Sequence, residues 1–355
     1  MRYDLFSLPA AVVCTAALLG GCATNVPPLV APSNTSPLLV SALTSVSGNV
    51  ILPTYADLAT KSAIMLAAVQ AFQNAQTDPN LQAACAAWRS ARADYEQTYG
   101  FLIGPALYGI DANVNMWPTD VTGVNALAVS DTMFSQPFVA GLVPPLKGFH
   151  VIEYLLFGPN GNKTASAFTP QQVAYLVASS SDLSTQVNSL NAAWMPSGGN
   201  FVVNMLQAGS SNSVYPTGRD AVLDLVNTGV AQCGNVVNFM QTSAQPPNLA
   251  YDPSQYSQNG TADFANIITG VANVYLGGSQ GGGAGISTLV AAKDPVLDDS
   301  VRSNITQTIA AIGGITPTFE AAIMGNPQQV QNAMNAASNL SALLGSVYAL
   351  IQNNY

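Results

Sequence analysis

One short stretch of the chain carries the residue types best suited to chemistry. Residues 147–158 read Lys-Gly-Phe-His-Val-Ile-Glu-Tyr-Leu-Leu-Phe-Gly and contain His150, the only histidine, with Glu153 three residues later. Positions three apart share one face of a helix, so the imidazole and the carboxylate would point the same way. Two interpretations are open: a buried histidine held by its neighbouring carboxylate, or half of a metal site that needs at least one more ligand.

Further carboxylates lie upstream, where they could complete a metal site. Glu96 falls on a predicted helix, and Asp111 falls in an irregular segment rich in aromatic and polar residues. One imidazole with several carboxylates is an oxygen-rich donor set, which favours iron, manganese, calcium or magnesium over zinc. We therefore predict a divalent or ferric cation. The predicted ligands are His150, Glu153, Glu96 and Asp111.

A second group of residues is expected to orient these ligands or to line a ligand pocket. An exposed Arg92–Glu96 pair would contribute only about 0.3–0.5 kcal/mol. A buried Arg92 would instead orient a carboxylate of the site. Clustered aromatic residues could hold a peptide, a glycan or a siderophore-like ligand, or could simply pack in the core. The predicted group is Arg92, Tyr99, Trp117, Asp120 and Gly148.

The common catalytic arrangements do not fit this sequence. A single histidine cannot supply the sets of two or three histidines that zinc hydrolases usually use, and the His-Glu-x-x-His motif is absent. The glycine-rich segment 277–285 lacks the Gly-Lys-Ser/Thr ending of a phosphate-binding loop. We assign no catalytic residue from the sequence.

Composition bounds the partners of the 355-residue chain. Charged residues make up 8%, about a third of the usual share, and the net charge is −9. No basic stripe is present, which argues against a nucleic-acid partner. Apolar residues make up 48%, enough for a large core.

The first residues have the features of a lipoprotein signal peptide. Arg2 supplies a positive charge, residues 5–19 are apolar, and Leu19-Gly20-Gly21 precede Cys22 like a lipobox. We predict a signal peptide over residues 1–21, lipidation of Cys22 and a flexible tether over residues 22–37. The protein would then be anchored by lipid in a bacterial cell envelope, at the outer membrane.

Two cysteines remain after the predicted lipidation site. In an oxidising compartment Cys85 and Cys233 could form a disulfide, or both could be buried thiols.

Helical periodicity runs through most of the mature chain, and no alternating pattern predicts a sheet. We predict an all-α protein with two packed helical bundles, residues 38–160 and 161–355. The first bundle would contain helices over residues 55–75 and 81–100, the latter capped by Asn80, followed by an irregular segment over 108–125. In the second bundle, Asp294-Pro295 would break the chain before a helix that begins at Ser300.

Several segments in this order resemble the imelysin-like family. Gly148-x-His150-x-x-Glu153 is similar to its Gly-x-His-x-x-Glu signature. The other matching residues are Trp88, Arg92, Tyr95 and Thr98, then Asn115-x-Trp117-Pro118-x-Asp120, then the helix from Tyr175 to Trp194, and finally Asp263-Phe264-x-Asn266 with Tyr275-x-Gly277. The resemblance covers residues from about 40 to 350.

The resemblance implies two helical bundles side by side, with the signature near their interface. It implies iron as the cation, a role in iron uptake with other envelope proteins and, as alternatives, an M75-type metallopeptidase or a non-catalytic ligand-binding lipoprotein. The family pattern has an acid where this chain has Tyr99, and Glu96, three residues earlier, is the candidate replacement.

Overall fold

The computed structural model describes residues 36–106, 110–279 and 282–355, and in these ranges the chain is helical without a β-strand. Cys22, the predicted signal peptide and the tether up to residue 35 lie outside the described residues. The α-helices are α1 (Pro37–Val46), α2 (Leu52–Asn74), α3 (Asp78–Thr98), α4 (Ile110–Asn115), α5 (Val121–Ala128), α6 (Gln136–Ala140), α7 (Phe149–Phe157), α8 (Pro170–Trp194), α9 (Val202–Leu206), α10 (Gly218–Ala244), α11 (Gly260–Leu276), α12 (Ile286–Ala291), α13 (Pro295–Gly313), α14 (Phe319–Gly325) and α15 (Pro327–Asn354).

The first two helices form one continuous rod, although the sequence predicts a helix only from Tyr55. A π-helical turn, Ser47–Ile51, joins α1 to α2. The turn ends just before Pro53, which lies in the first turn of α2. A proline inside a regular helix clashes with the carbonyl of the residue four positions earlier. The wider π turn before Pro53 changes which carbonyl lies opposite the proline. The helix therefore continues where the sequence predicts a break.

Several predicted boundaries are wrong because capping residues were misassigned. Thr77, not Asn80, caps α3, since its side chain accepts a hydrogen bond from the backbone of Asn80. Asp294 caps α13 with Pro295 in the first turn, so that pair begins a helix five residues before Ser300. The segment predicted as irregular holds α4 and α5.

The helices pack as two bundles, which confirms the predicted fold class. α2 runs against α3 and α8, while α10 and α13 pack against α15. α11 joins the two groups because it contacts α3 as well as α10 and α13. The predicted boundary at residue 160 stays a prediction, and α8, which follows that boundary, lies against α2.

Two stretches, Pro37–Asn74 and Pro327–Asn354, are long and apolar enough to cross a membrane by length and composition alone. Both pack against other helices of the bundles, and about half and a third of their apolar windows, respectively, are buried within the protein.

The 3-10 turn Tyr99–Phe101, which follows α3, and the middle of α11 meet through two glycines. A Cβ atom added to Gly100 would lie 2.2 Å from the carbonyl carbon of Gly270, and one added to Gly270 would lie 2.1 Å from the carbonyl oxygen of Gln97. Any side chain would separate the two backbones. This crossing sets how closely the residues of α3 approach those of α11.

We expect Gly270→Ala to lower the free energy of unfolding by about 1–3 kcal/mol, because the new methyl group overlaps the backbone of Gln97. The matched control is Gly345→Ala on exposed helix surface, with no atom within 4 Å of the new methyl. That change should raise stability by about 0.5–1 kcal/mol through helix propensity. Denaturant unfolding measures both, and a Gly270→Ala protein as stable as the control would contradict the close crossing.

Candidate functional site

The helix that carries the predicted signature starts at Gly148. This residue has φ +83°, and a Cβ there would lie 2.5 Å from the carbonyl oxygen of Val114. Glycine is required on both counts, because it tolerates positive φ and lets α7 begin directly against α4. Every residue of α7 is buried. Gly148 therefore sets the position of the residues that follow it and has no side chain to bind a ligand.

His150 is 2% exposed, and its two ring nitrogens have different surroundings. Nδ1 faces Oε2 of Glu153 at 3.5 Å, whereas Nε2 is buried without a hydrogen-bond partner. Burial lowers the pKa of His150 well below its ordinary value, and the charge of Arg92 lowers it further. The imidazole is therefore neutral. With the proton held on Nδ1, the Nε2 lone pair is available to a metal or to a hydrogen-bond donor.

Glu153 lies behind the imidazole, away from the cavity described below. Its Oε1 accepts hydrogen bonds from the backbone N and the hydroxyl of Ser257, at 2.8 and 2.7 Å. Burial raises the pKa of Glu153 to about 7, although the bonds from Ser257 oppose the shift. Predicted as a ligand, Glu153 is placed by the structure to orient His150, and it does not line the cavity.

A cavity of about 480 Å³ adjoins His150. Of the residues predicted from the sequence, the structure brings six together in its lining: His150, Glu96, Asp111, Arg92, Tyr99 and Trp117. The other lining residues used below are Asn115, Gln232, Asn235, Asn238, Phe239, Asp252, Ser254, Gly260, Asp263, Phe264 and Ile267. Helices of both bundles contribute, so the cavity lies where the bundles meet.

Arg92 is the centre of a buried charge cluster beside the cavity. Its Nη2 lies 2.5 Å from Oε1 of Glu96, and its Nε lies 3.4 Å from Oδ2 of Asp263. Nη1 donates a hydrogen bond to the side chain of Asn115. The expectation that a buried Arg92 would orient carboxylates thus fits its contacts, and the guanidinium connects α3, α4 and α11.

Glu96 shares this cluster with other carboxylates. Burial raises its pKa, Arg92 opposes the shift, and Asp263 and Asp111 add to it. Glu96, the predicted replacement for the acid of the family pattern, therefore lines the cavity but is already paired with Arg92.

The two tyrosines beside the cluster are neutral phenols. Tyr95 donates a hydrogen bond to Asp111, and Asn115 donates one of 2.9 Å to the hydroxyl of Tyr99. Burial raises the pKa of Tyr95 and of Tyr99 above the ordinary value for tyrosine. The environment thus disfavours a phenolate, and Tyr99 serves as a hydrogen-bonding wall residue.

Asp120 does not join the cavity. It is exposed and caps α5, accepting a hydrogen bond of 2.9 Å from the backbone N of Gly123. The Asp-x-x-Gly pattern in the sequence is a capping signal that the resemblance to a site motif concealed.

Two acids that sequence reasoning missed lie beside the cavity. Asp252 and Glu320 are both buried, and each accepts one backbone hydrogen bond, from Ser254 and Gly260 respectively. Burial raises the pKa of Asp252 well above its ordinary value, and the neighbouring Glu320 raises it further. Asp252 therefore binds a proton more readily than an exposed aspartate does. No motif marks Asp252, which follows Tyr251 in a proline-rich loop, or Glu320, which begins a short helix.

Asp263 was matched to the family but not assigned to the site. It is 5% exposed and takes hydrogen bonds from Asn259 and Ser254 in addition to its contact with Arg92. Its place in the first turn of α11 gave no signal, because α3, α4, α10, α13 and α14 also carry an acid in their first turn.

The cysteines settle an alternative that the sequence left open. Cys85 and Cys233 are free thiols, and burial raises their pKa values to about 11 and about 12.

The donors partly fit a metal ion. Nε2 of His150 is a nitrogen donor without a partner, and several carboxylates share its cavity. However, within the residues that the structure describes, no group of three or more His, Cys, Asp or Glu side chains could hold a metal ion by itself. Nε2 of His150 and Oδ2 of Asp252 both lack a hydrogen-bond partner at the cavity, but these two atoms and the acidic surrounding do not make a complete set of ligands.

Comparison with known proteins agrees with this architecture. The family model described as Peptidase_M75, imelysin, matches residues 51–347. Iron-regulated protein A of Synechococcus elongatus is 33% identical over 238 residues, which are 64% of this chain and 62% of that protein. The match thus spans less than two thirds of the relative's length.

Two solved structures have the same fold. One, designated an iron-regulated protein A precursor, from Parabacteroides distasonis, has a TM-score of 0.77 at 24% identity and covers 91% of this chain and 98% of its own. An imelysin-like protein from Psychrobacter arcticum has a TM-score of 0.71 at 15% identity, with 90% and 96% covered. At these identities they bear on the fold alone.

The acid pair predicts how stability depends on pH. The pKa of Asp252 is raised in the folded protein, so the folded state holds its proton more tightly than the unfolded state. This contribution is greatest below the unfolded pKa near 4 and is lost as pH rises towards the folded value. We expect Glu320→Gln to reduce the stability that is lost as the pH rises above about 4, because the charge that helps to raise the pKa of Asp252 is gone.

Denaturant unfolding at several pH values checks this expectation. Asp299→Asn, which removes an exposed carboxylate on α13, is the matched control and should leave the pH profile unchanged. A Glu320→Gln profile parallel to that of the natural protein would show that Glu320 does not raise the pKa of Asp252.

Proposed function

The chain belongs to the imelysin family, and we propose that it captures iron in the cavity between its two helical bundles, with His150 as the protein's nitrogen donor. The observation that carries the proposal is the Nε2 atom of His150, which is buried, lacks a hydrogen-bond partner and belongs to a residue that lines the cavity. Buried polar atoms without a partner are costly, so one beside an acidic cavity suggests a ligand.

The electrostatics of the cavity support a cation or a metal complex as that ligand. Glu96, Asp111, Asp252 and Asp263 line the cavity, and Arg92 is the only lysine or arginine among the lining residues that the structure describes. The net charge of −9 also favours cations over anions in the encounter.

The arrangement around His150 supports its use as a donor. Histidines that bind a metal commonly donate a hydrogen bond from their second ring nitrogen to a carboxylate, and this bond fixes the tautomer and orients the ring. Glu153 stands in that position at Nδ1, and Ser257 in turn holds Glu153. We therefore assign Glu153 the role of orienting His150, while Asp111 and Glu96 act as cavity carboxylates.

The name of the Synechococcus relative states that it is iron-regulated, and this is the reason for choosing iron among the cations that oxygen-rich sites bind. We propose a role in iron uptake together with other envelope proteins.

We also propose that the protein is lipid-anchored in the cell envelope through Cys22. The support is the sequence of residues 1–22, with a positive start, an apolar stretch and small residues before the cysteine.

His150→Ala should weaken iron binding by at least about tenfold, because the mutation removes the donor atom itself. Equilibrium dialysis of ferrous iron under anoxic conditions, with circular dichroism as the check on folding, gives the measurement. Asp111→Asn should also weaken binding. Its matched control is Asp120→Asn, which removes an equal charge from an exposed position where asparagine caps the helix as well as aspartate.

Equal iron affinity in the natural protein, His150→Ala and Asp111→Asn would overturn the proposed site. The same samples incubated with casein test the metallopeptidase alternative, which would be favoured by proteolysis that His150→Ala abolishes.

Cys22→Ser should move the protein from the membrane fraction to the soluble fraction of cells, because the acceptor of the lipid is lost. Cys85→Ser, which removes a partly buried thiol far along the chain, is the control and should stay with the membrane. Mass spectrometry that finds an unmodified amino terminus on the natural protein would contradict the lipid anchor.

A further inference from the structure

The cavity is much larger than a bare metal ion requires. Its volume of about 480 Å³ is in the range of small-molecule sites, which run from about 300 to 1,000 Å³. A water molecule occupies about 30 Å³ in the liquid, so an aqua ion would leave most of the space to solvent. The dimensions therefore fit an organic ligand.

Three of the four carboxylates that line the cavity are already engaged, the fourth being Asp252, whose Oδ2 has no hydrogen-bond partner. Glu96 and Asp263 both pair with Arg92, and Asp111 accepts a hydrogen bond from Tyr95. A bare cation would have to take oxygens from these partners, and separating a buried charge from its partner is strongly destabilising. An iron complex that brings its own oxygen donors would leave these contacts intact and would need only an open coordination position for Nε2.

The wall formed by α10 has a different chemistry from the charge cluster. Gln232, Asn235, Asn238 and Phe239 line the cavity at three- and four-residue spacings, on one face of the helix. Trp117 meets Phe239 edge to face, with ring centroids 6.0 Å apart. Amides beside aromatic rings bind organic groups with an apolar ring and carbonyl or hydroxyl edges. A bare metal ion could take an amide oxygen as a ligand but has no use for the aromatic rings.

Charge decides among the classes of iron complex. The lining acids and the net charge of −9 disfavour polyanionic complexes, such as those of citrate or catechols. Hydroxamates each carry one negative charge, so two on a ferric ion leave a singly positive complex with open coordination positions. Such a complex matches both the acidic cluster and the free Nε2.

We infer that the cargo is a small ferric hydroxamate-type chelate, with His150 taking an open position on the iron and the wall of Trp117 and α10 holding the organic part. This inference rests on the proposed iron capture at the same cavity. It narrows the ligand from iron in general to a singly positive organic complex of ferric iron with open coordination positions.

The test compares four probes on the full protein: ferric benzohydroxamate, ferric acetohydroxamate, ferric citrate and unchelated ferrous iron under anoxic conditions. Tryptophan fluorescence and equilibrium dialysis report binding. We expect ferric benzohydroxamate to bind about tenfold tighter than the acetohydroxamate complex, because its ring adds the aromatic contact. Ferric citrate should bind more weakly than either.

Trp117→Ala should weaken the protein's affinity for ferric benzohydroxamate by about tenfold. It should change the affinity for ferrous iron by less than about twofold. Asn238→Ala, an exposed position on α10, is a second variant that does not threaten folding and should weaken both hydroxamate complexes. Phe138→Ala, a partly exposed aromatic residue outside the cavity lining, is the control and should change nothing.

If ferrous iron binds as tightly as the chelates, and Trp117→Ala and Asn238→Ala bind all probes like the natural protein, the inference of a chelate is overturned. The proposal that the cavity captures iron is not affected by that result. Tighter binding of ferric citrate would overturn the hydroxamate class. If none of the probes binds, and His150→Ala behaves like the natural protein, both this inference and the proposed function fail.

Discussion

The buried guanidinium of Arg92 is the interaction on which the rest of the site depends. It connects Glu96 on its own helix, Asn115 on α4 and Asp263 on α11, and its side chain is 2% exposed. Removing one partner of such a cluster typically costs about 3–5 kcal/mol, because a buried charge is left uncompensated. The cluster in turn requires α3 and α11 to approach closely, which the crossing of Gly100 and Gly270 permits. Two glycines and one arginine thus set the geometry of the cavity.

The position of His150 depends on a different part of the chain. The loop between α10 and α11 supplies Ser257, which donates two hydrogen bonds to Glu153, the residue that faces Nδ1 of the imidazole. Arg89 donates a 2.9 Å hydrogen bond to the carbonyl oxygen of Ser257, which fastens the loop to α3. The orientation of the neutral imidazole, with Nδ1 facing Glu153 and Nε2 without a partner, therefore depends on contacts with residues about a hundred positions later in the sequence.

Helix-forming periodicity and the spacing of His150 and Glu153 were sufficient to predict an all-α fold with both residues on one helix, α7. They were not sufficient to predict the direction of each side chain. Glu153 shares a face with His150 but turns towards Ser257, because hydrogen-bond donors there compensate a fully buried carboxylate. Asp120 resembled a site residue and is a helix cap, since capping depends on local backbone contacts that a family motif does not distinguish.

Asp252 and Glu320 could not have been predicted from spacing, because they come together only through the packing of a loop against α14. Their proximity depends on tertiary structure, and neither residue belongs to a periodic pattern. The same is true of Asp263, whose role depends on Arg92, more than 150 residues away.

The most direct test of the account is the position of iron in crystals of the loaded protein, located by anomalous scattering at the iron absorption edge. We expect one strong peak inside the cavity, from an iron atom bonded to Nε2 of His150, with the Arg92 ion pairs still present. A peak at any other place, or iron in the cavity without a bond to His150, would contradict it.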